Sequence, residues 1–515
     1  MNVIELSLFA SRIEACCDEM GAVLQRTAFS TNIKDRLDYS CAIFDAQGAL
    51  CAQAAHIPVH MGSMAYAMRD IVAQQKWSEG DMLILNDPFL GGTHLPDVTL
   101  VAPVFYQSSL LGFAVNRAHH ADIGADTPGS MPISSRLEQE GVVIAPTFVV
   151  RNGQVQQAEF AAITAGVMNT DQLYGDFVAQ MSANRCGVKR ILELVLSMGI
   201  AVYQDSLVEL NNYAERLAKS ALASIPVGTY RFSDVLDDDG MGNFDIAICV
   251  SINVLDNDIE VDFSGTAKQT TGNVNCPLSV AAAAVYYVFR CLMPSHTPNC
   301  DGSLRRIKII AEQGSLLNAR RPAAVAAGNV ETSTRVVDCM MGALAQAIPD
   351  RLAAASHGSM NNLAMGAQAD EKTGALAWSY YETIGGGMGA SPRYHGLDAR
   401  QTHMTNTLNT PIEVLEMNYP LRISRYAVRR GSGGKGQYDG GDGILREFVF
   451  LRDTSVTLLT ERRLHPPWGL AGGAAGLCGE NKLNGRVIAG KISLMARKGD
   501  VLSIATAGGG AWGKR

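Results

Sequence analysis

The chain has 515 residues, of which 43 are Lys or Arg and 50 are Asp or Glu, giving a formal net charge of -7. That length excludes a single small binding module and predicts two or three domains of ordinary size. With 47% hydrophobic and only 18% charged residues, the composition excludes disorder and predicts apolar surface shared with another subunit, while the negative balance leaves neither nucleic acid nor membrane as an expected partner.

Within the first 26 residues, Glu5, Arg12, Glu14, Asp18 and Glu19 interrupt any signal-peptide core. Leu6, Phe9, Ile13, Cys16, Met20 and Val23 recur at intervals of three and four instead, predicting an amphipathic helix. Short runs bounded by turn residues predict strands at Ser40–Phe44, Met82–Leu85, Val98–Phe105, Leu111–Ala118 and Val142–Val150. From Asp176 to about Ile225 the period turns helical, with Phe177, Met181, Val188, Ile191, Leu192 and Val195 on the expected buried face. Pro226 and Gly228 punctuate a boundary. Strands follow at Ile246–Ile252 and Ile259–Phe263, then helices at 279–293 and about 331–347. The glycine-rich run 431–443 opens a last region with strands at Glu447–Leu451 and Ser455–Leu459. The reading is therefore an α+β (mixed α/β) multi-domain chain: an N-terminal mixed domain (1–226), a central α/β domain (227–430) and a β-rich C-terminal region (431–515).

Eleven cysteines without a CxxC pair predict neither a disulfide framework nor a zinc knuckle and fit a reduced cytoplasm. The longest apolar stretch, Val280 to Met293, contains Arg290 and is shorter than the ~20 residues that span a bilayer. The segment GRVIAGKI (485–492) matches a phosphate-loop spacing but places Ile492 where a magnesium-binding hydroxyl is needed, and its surroundings read as a β-hairpin. No ATP site is assigned. The basic group Arg422, Arg425, Arg429, Arg430 and Lys435 reads as a solvated, salt-bridged face.

Five of the ten histidines, His56, His60, His94, His119 and His120, crowd into residues 56–120, and Asp87, Asp97, Asp122 and Asp126 lie with them at or just beyond strand ends between 87 and 126. Imidazole plus carboxylate is the donor mixture that suits Zn, Mn or Fe(II). His94 and Asp97, three apart on a glycine-preceded loop, can face one ion, and strand Leu111–Ala118 delivers His119 beside them. Asp38, just before a strand, offers a further oxygen. The same residues also suit loops that merely cap helices or bond backbone. His56 and His60, separated by Pro58, read as pocket or structural histidines.

Taken together, NIKDRLDYSCAIFD (32–45), HIPVHMGSM (56–64), LNDPFLGGTHLPDV (85–98), RAHHADIG (117–124), GDFVAQMSANRCG (175–187), VDFSGTAKQTTGNVN (261–275), GGDGILREFVF (440–450) and RRLHPPWGLAGG (462–473) resemble the hydantoinase B/oxoprolinase family over nearly the whole chain. VMNTDQLY (167–174) departs from the family's Arg-x-Pro stretch. The resemblance implies a divalent ion, zinc or manganese, on His94, Asp97 and His119, with Asp38 as the place to look for a fourth ligand. It implies ATP-Mg2+ on a separate A-type subunit, in a hetero-oligomer expected to be A2B2, and the ATP-dependent opening of a cyclic amide such as a hydantoin or 5-oxoproline. His120 or Asp122 is the expected general base or imidazole-orienting group. The alternatives are an ATP-dependent ketone carboxylase, a non-haem iron oxygenase and a non-catalytic scaffold subunit.

Overall fold

The computed structural model describes residues 2–54, 57–256, 258–369 and 374–515, with Met61 described by its backbone only. His56 lies outside the described residues. The N-terminal helix spans Val3–Thr27 because Asn2 and Glu5 form a reciprocal capping box and because Leu6, Phe9, Ile13, Cys16, Met20 and Leu24 line one buried face. That face packs against helix Thr170–Met198, where Gly187 is required: a Cβ there would lie 2.4 Å from Met20 Sδ. The long helical stretch bends by 109° at Gly199, whose φ of 85° is open to glycine, and continues as Ile200–Leu222. Among the described residues no single helix is long and apolar enough to cross a membrane.

These helices cover one face of a seven-stranded antiparallel sheet, in the order Leu50–Ala54, Tyr39–Asp45, Ser109–His119, Asp97–Tyr106, Met82–Leu85, Thr147–Arg151, Gln154–Val155. Helix Pro58–Ala73 covers the other face. The two central strands form a hairpin whose turn residues Gln107 and Ser108 both have positive φ, the geometry that matches strand twist. Its register sets Asp97 directly opposite His119. Of the expected strand Val142–Val150, only Thr147–Arg151 is extended in the sheet, because residues 142–146 run as a loop past Asn86.

A second, four-stranded sheet begins at Gly228: Gly228–Asp238, Phe244–Val254, Ile259–Asp262, Ile307–Ile310. Helices Leu278–Leu292 and Ser333–Leu344 share its apolar core. Strand Leu421–Arg429 pairs residue by residue with Gly443–Phe450, so the two lie in one sheet. Two sheets of four and five strands, drawn from residues 362–505, enclose Leu363, Met365, Tyr380, Phe448, Phe450, Leu502 and Ile504. The hairpin expected around 485–492 is not formed either: Arg486–Ile488 pairs with Glu480–Leu483, whereas Lys491–Ala496 belongs to the other sheet beside Thr454–Leu459.

The glycines of 431–443 serve close backbone packing. Cβ atoms on Gly440 and Gly387 would sit 2.0 Å from the carbonyl oxygens of Gly509 and Gly441. The eleven cysteines are unpaired, and burial pushes the Cys16 thiol up to about 11, which makes it a packing group and not a nucleophile.

Buried ions tie the central sheet to the C-terminal unit. Arg335 contacts Glu461 (3.1 Å), Lys491 contacts Glu461 (2.5 Å), and Arg462 contacts Asp234 (2.8 Å) and Asp338. Glu331 sits beside this cluster, fully buried, accepting from Met360 N (2.9 Å) and Asn362 Nδ2 (2.6 Å). Burial, reinforced by Glu461, raises its pKa from 4.5 to about 7. A carboxyl whose folded pKa exceeds its unfolded one contributes full stability below 4.5 and loses it as pH rises toward 7. Glu331→Gln keeps both accepted hydrogen bonds and removes that dependence. In denaturant titrations the variant should gain roughly 3 kcal/mol relative to wild type between pH 4.5 and pH 8; parallel pH profiles would refute the assignment.

Candidate metal centre

The loop that carries His94 is built by short-range constraints. Asp87 caps the turn Pro88–Leu90 through Phe89 N (3.0 Å) and binds Arg321. Gly91 follows at φ 110°, and Gly92 packs so tightly that a Cβ would meet Asn86 O at 2.2 Å. Buried Arg117, on the strand that ends at His119, donates to Gly91 O (3.1 Å), Ser63 Oγ (2.7 Å) and Thr99 Oγ1 (2.8 Å). Burial lowers its pKa to about 10 against the pull of Asp97. Loop, strand and helix Pro58–Ala73 are thus held by one guanidinium.

Asp97 is the centre of the site and is 1% exposed. His94 Nε2 (3.1 Å) and His119 Nδ1 (3.0 Å) approach its Oδ1, while Oδ2 receives His60 Nε2 (3.2 Å), Thr93 Oγ1 (2.8 Å) and Asn329 Nδ2 (3.1 Å). Burial alone would raise this carboxyl; the imidazoles of His94, His60 and His119 hold it well below the ordinary range. Burial likewise works against the charged form of His94, yet Asp97 prevails and raises it. At His119 burial wins over Asp38 and Asp97 and lowers it.

Hydrogen bonding selects the tautomers. His94 Nδ1 lies 3.1 Å from Ala326 O, a pure acceptor, so its proton is spent there and Nε2 is left as a donor atom for a cation. His119 Nδ1 likewise faces Asp97, and its Nε2 is buried without a partner; His94 Nε2 makes no aligned hydrogen bond. His94, Asp97 and His119 each offer one ligand atom within 4.8 Å of the others, and with an unpartnered nitrogen on each imidazole they make a donor set of the kind that binds a divalent ion at ~2.0–2.2 Å. No other group of three or more such side chains among the described residues meets this condition. His60, with both nitrogens bonded, to Ser40 Oγ (3.2 Å) and Asp97, orients the carboxylate and is not a spare ligand.

The small cavity over the trio measures about 20 Å³ and is lined by Asp38, His60, Asn329, Tyr381, Thr383 and Thr405, among others. Asp38 therefore shares the cavity but stands outside the tight cluster; its carboxylate lies 4.0 Å from the Arg36 guanidinium. His120 and Asp122 do not join it. Strand alternation turns His120 away from His119, onto Phe177 and Gln180, and Asp122 accepts from Gly124 N (3.0 Å) and Met168 N (2.8 Å). Both line a different, larger cavity. Spacing gave no sign of Asn329 or Tyr381, which arrive from hundreds of residues away; the Tyr381 ring stacks on His119 at 4.6 Å, and its hydroxyl donates to Asn362 Oδ1 (2.7 Å).

Comparisons with known proteins point to one family. The family model described as hydantoinase B/oxoprolinase matches residues 2–515. 5-Oxoprolinase 1 of Arabidopsis thaliana is 37% identical over 546 residues, covering 99% of this chain and 42% of that protein, so the chain spans less than half of that relative. A Pseudomonas protein whose name makes it the B-type component of a D-/L-hydantoinase is 32% identical over 498 residues, 93% of this chain and 83% of its own length. Among solved structures, the ATP-dependent caprolactamase of Pseudomonas jessenii superposes with a TM-score of 0.93 at 25% identity, over 100% of this chain and 91% of that one.

Metal analysis of the dialysed protein tests the centre directly. His94→Ala should lose the ion while its circular dichroism stays that of the wild type, and unchanged metal content would remove His94 from the site. His60→Ala and Asn329→Ala should retain an ion at about 10–100-fold weaker affinity, as expected where partners of a ligand are removed.

Proposed function

The chain belongs to the hydantoinase B/oxoprolinase family, and on that premise we propose that it is the ion-binding, B-type component of an ATP-dependent amidohydrolase that opens a cyclic amide. The substrate class is a hydantoin, 5-oxoproline or another lactam. The observation that carries this reading is the buried trio His94, Asp97 and His119 with two imidazole nitrogens left over for a cation. An unstrained cyclic amide resists water because amide resonance has to be broken, and nucleotide cleavage supplies the drive. The ATP-Mg2+ site is assigned to an A-type partner in an A2B2 assembly. In support, a full-length 5-oxoprolinase is more than twice the length matched here, and a relative of similar size is named as the B-type component of a hydantoinase.

A divalent ion, zinc or manganese, held by His94, Asp97 and His119 supplies Lewis acidity toward a carbonyl oxygen and acidifies water. The rest falls to the chain's own groups. Thr383, Thr405 and Thr407 line the cavity; the hydroxyls of Thr383 and Thr407 are bonded to each other (2.6 Å), which leaves that of Thr405 to orient a carbonyl or a water. Asp38 is the carboxylate placed to accept a proton there or to complete the ligand set. Asp122 has its oxygens committed to backbone N–H groups, and His120 faces elsewhere. At about 20 Å³ the cavity admits a water but not a ring, so Val59 and the Thr405–Thr407 wall, joined by the hydrogen bond from Val59 N to Met404 O (3.2 Å), part when substrate enters.

Co-expression with the A-type neighbour, followed by assay of ATP cleavage and ring opening over a panel of lactams, hydantoins and ketones, tests the reading. One cyclic amide should be opened with stoichiometric ATP cleavage, without bicarbonate, and His94→Ala should lower that turnover at least 10²-fold, the order of effect seen when a stabiliser of developing charge is removed. Bicarbonate-dependent consumption of a ketone would reassign the chain to a carboxylase.

A further inference from the structure

The larger cavity on the far side of His119 has a chemistry of its own. It measures about 520 Å³, within the ~300–1,000 Å³ of small-molecule sites, and lies between the turn Phe29–Thr31, residues 120–122, the start of helix Thr170–Met198, and strand Trp378–Glu382. Asp122, Asp171 and Asp176 line it, and no Lys or Arg does. Phe29, Trp378 and Tyr419 add aromatic surface, and Phe29 is 67% exposed with no core to fill. Carboxylates and ring faces without a compensating cation are the recognition chemistry of an organic cation.

His120 narrows the class. It is 1% exposed and its Nε2 lies 3.1 Å from Gln180 Oε1. The amide nitrogen of Gln180 is spent on Val98 O (2.9 Å) and Asn116 Oδ1 (2.8 Å), which fixes Oε1 as the atom facing the imidazole. The His120 proton therefore sits on Nε2, and Nδ1 is a buried lone pair without a partner. It calls for an N–H donor. A metal ion is the poorer occupant. The oxygens of Asp122 bond to Gly124 N and Met168 N, Oδ1 of Asp176 accepts from Phe29 N (2.7 Å) and Ser30 N (3.1 Å), and no ion-holding group forms here among the described residues.

We propose that this cavity binds a small primary ammonium, donating N–H to His120 Nδ1, with its charge toward Asp171 and Asp176 and its alkyl part on Phe29, Trp378 and Tyr419. The assignment does not depend on the cyclic-amide reading, although opening a lactam, unlike a hydantoin, frees a primary amine. Isothermal titration of the full chain with n-butylammonium, n-butyltrimethylammonium and n-butanol tests it. Butylammonium should bind saturably in the millimolar range, and butanol at least about tenfold more weakly. The trimethyl compound, which has no N–H, should bind at least about fivefold more weakly than butylammonium. Asp171→Asn, a change at an exposed position that leaves the core intact, should weaken butylammonium about threefold or more, and His120→Phe about tenfold. Absence of saturable binding up to about 100 mM, equal binding of alcohol and ammonium, or unchanged affinity in Asp171→Asn would overturn the proposal.

Discussion

One buried carboxylate organises this molecule. Asp97 is surrounded by side chains from four separate stretches: the loop Thr93–His94, the strand end His119, helix Pro58–Ala73 through His60, and the central unit through Asn329. An ionised carboxylate in such a position costs several kcal/mol to desolvate unless its acceptor sites are filled. Here they are filled by four groups of the N-terminal unit and by Asn329 of the central one, so Asp97 ties the two together. Register makes this possible. A one-residue slip of the Asp97–Tyr106/Ser109–His119 hairpin would turn His119 to the opposite face, and the two-residue turn at Gln107–Ser108 excludes that slip.

The C-terminal unit enters the same centre by a longer route. Glu331 lies two residues beyond Asn329, on a short π-helical turn, Gly328–Thr332, that leads into helix Ser333–Leu344. Its carboxylate holds Asn362, Asn362 holds the Tyr381 hydroxyl, and the Tyr381 ring covers His119. The ion cluster of Arg335, Arg462, Lys491, Asp234, Asp338 and Glu461 secures the two units that this chain of contacts crosses. π-Turns tolerate poorer hydrogen bonding than α-helix and tend to persist where a side chain has to be aimed, and the one here aims Asn329 and Glu331 at different partners.

Local signals were legible in the sequence, and long-range ones were not. The amphipathic spacing of Leu6 to Met20 reports a helix because capping and packing act within a few residues, and the observed helix Val3–Thr27 carries that stripe. The strands around 82–85, 98–105 and 111–118 were legible for the same reason, and so was the clustering of His94, Asp97 and His119, which a single hairpin and its loop bring together. Sequence spacing assigned His119 and His120 to one site: both are imidazoles after the same strand, and only the sheet's two faces set them in different cavities. Nor could it weigh His60, whose role depends on Ser40 and Asp97 closing around it. The glycine run 431–443 could not be weighed either: those glycines let backbone approach backbone, and the strands on either side of them pair in one sheet.

That the two cavities lie back to back follows from the period of a strand. Residues 119, 120 and 122 leave the sheet at one point, and alternation sends His119 toward Asp97 and His120 toward helix Thr170–Met198. Each imidazole then has one nitrogen tied to an oxygen acceptor, Asp97 Oδ1 for His119 and Gln180 Oε1 for His120, and one left free. The same arrangement yields different chemistry because the surroundings differ. Beside His119 a second orphaned imidazole and a carboxylate lie within 4.8 Å, which suits a compact divalent ion. Around His120 the carboxylates are already engaged by backbone amides or spread over a far larger volume with aromatic walls, which suits an organic ammonium with an alkyl part. A pair of adjacent histidines thus faces two cavities, and the helix packed against His120 is held at its start by Asn169 and tied by Asp176 to the turn Phe29–Ser30.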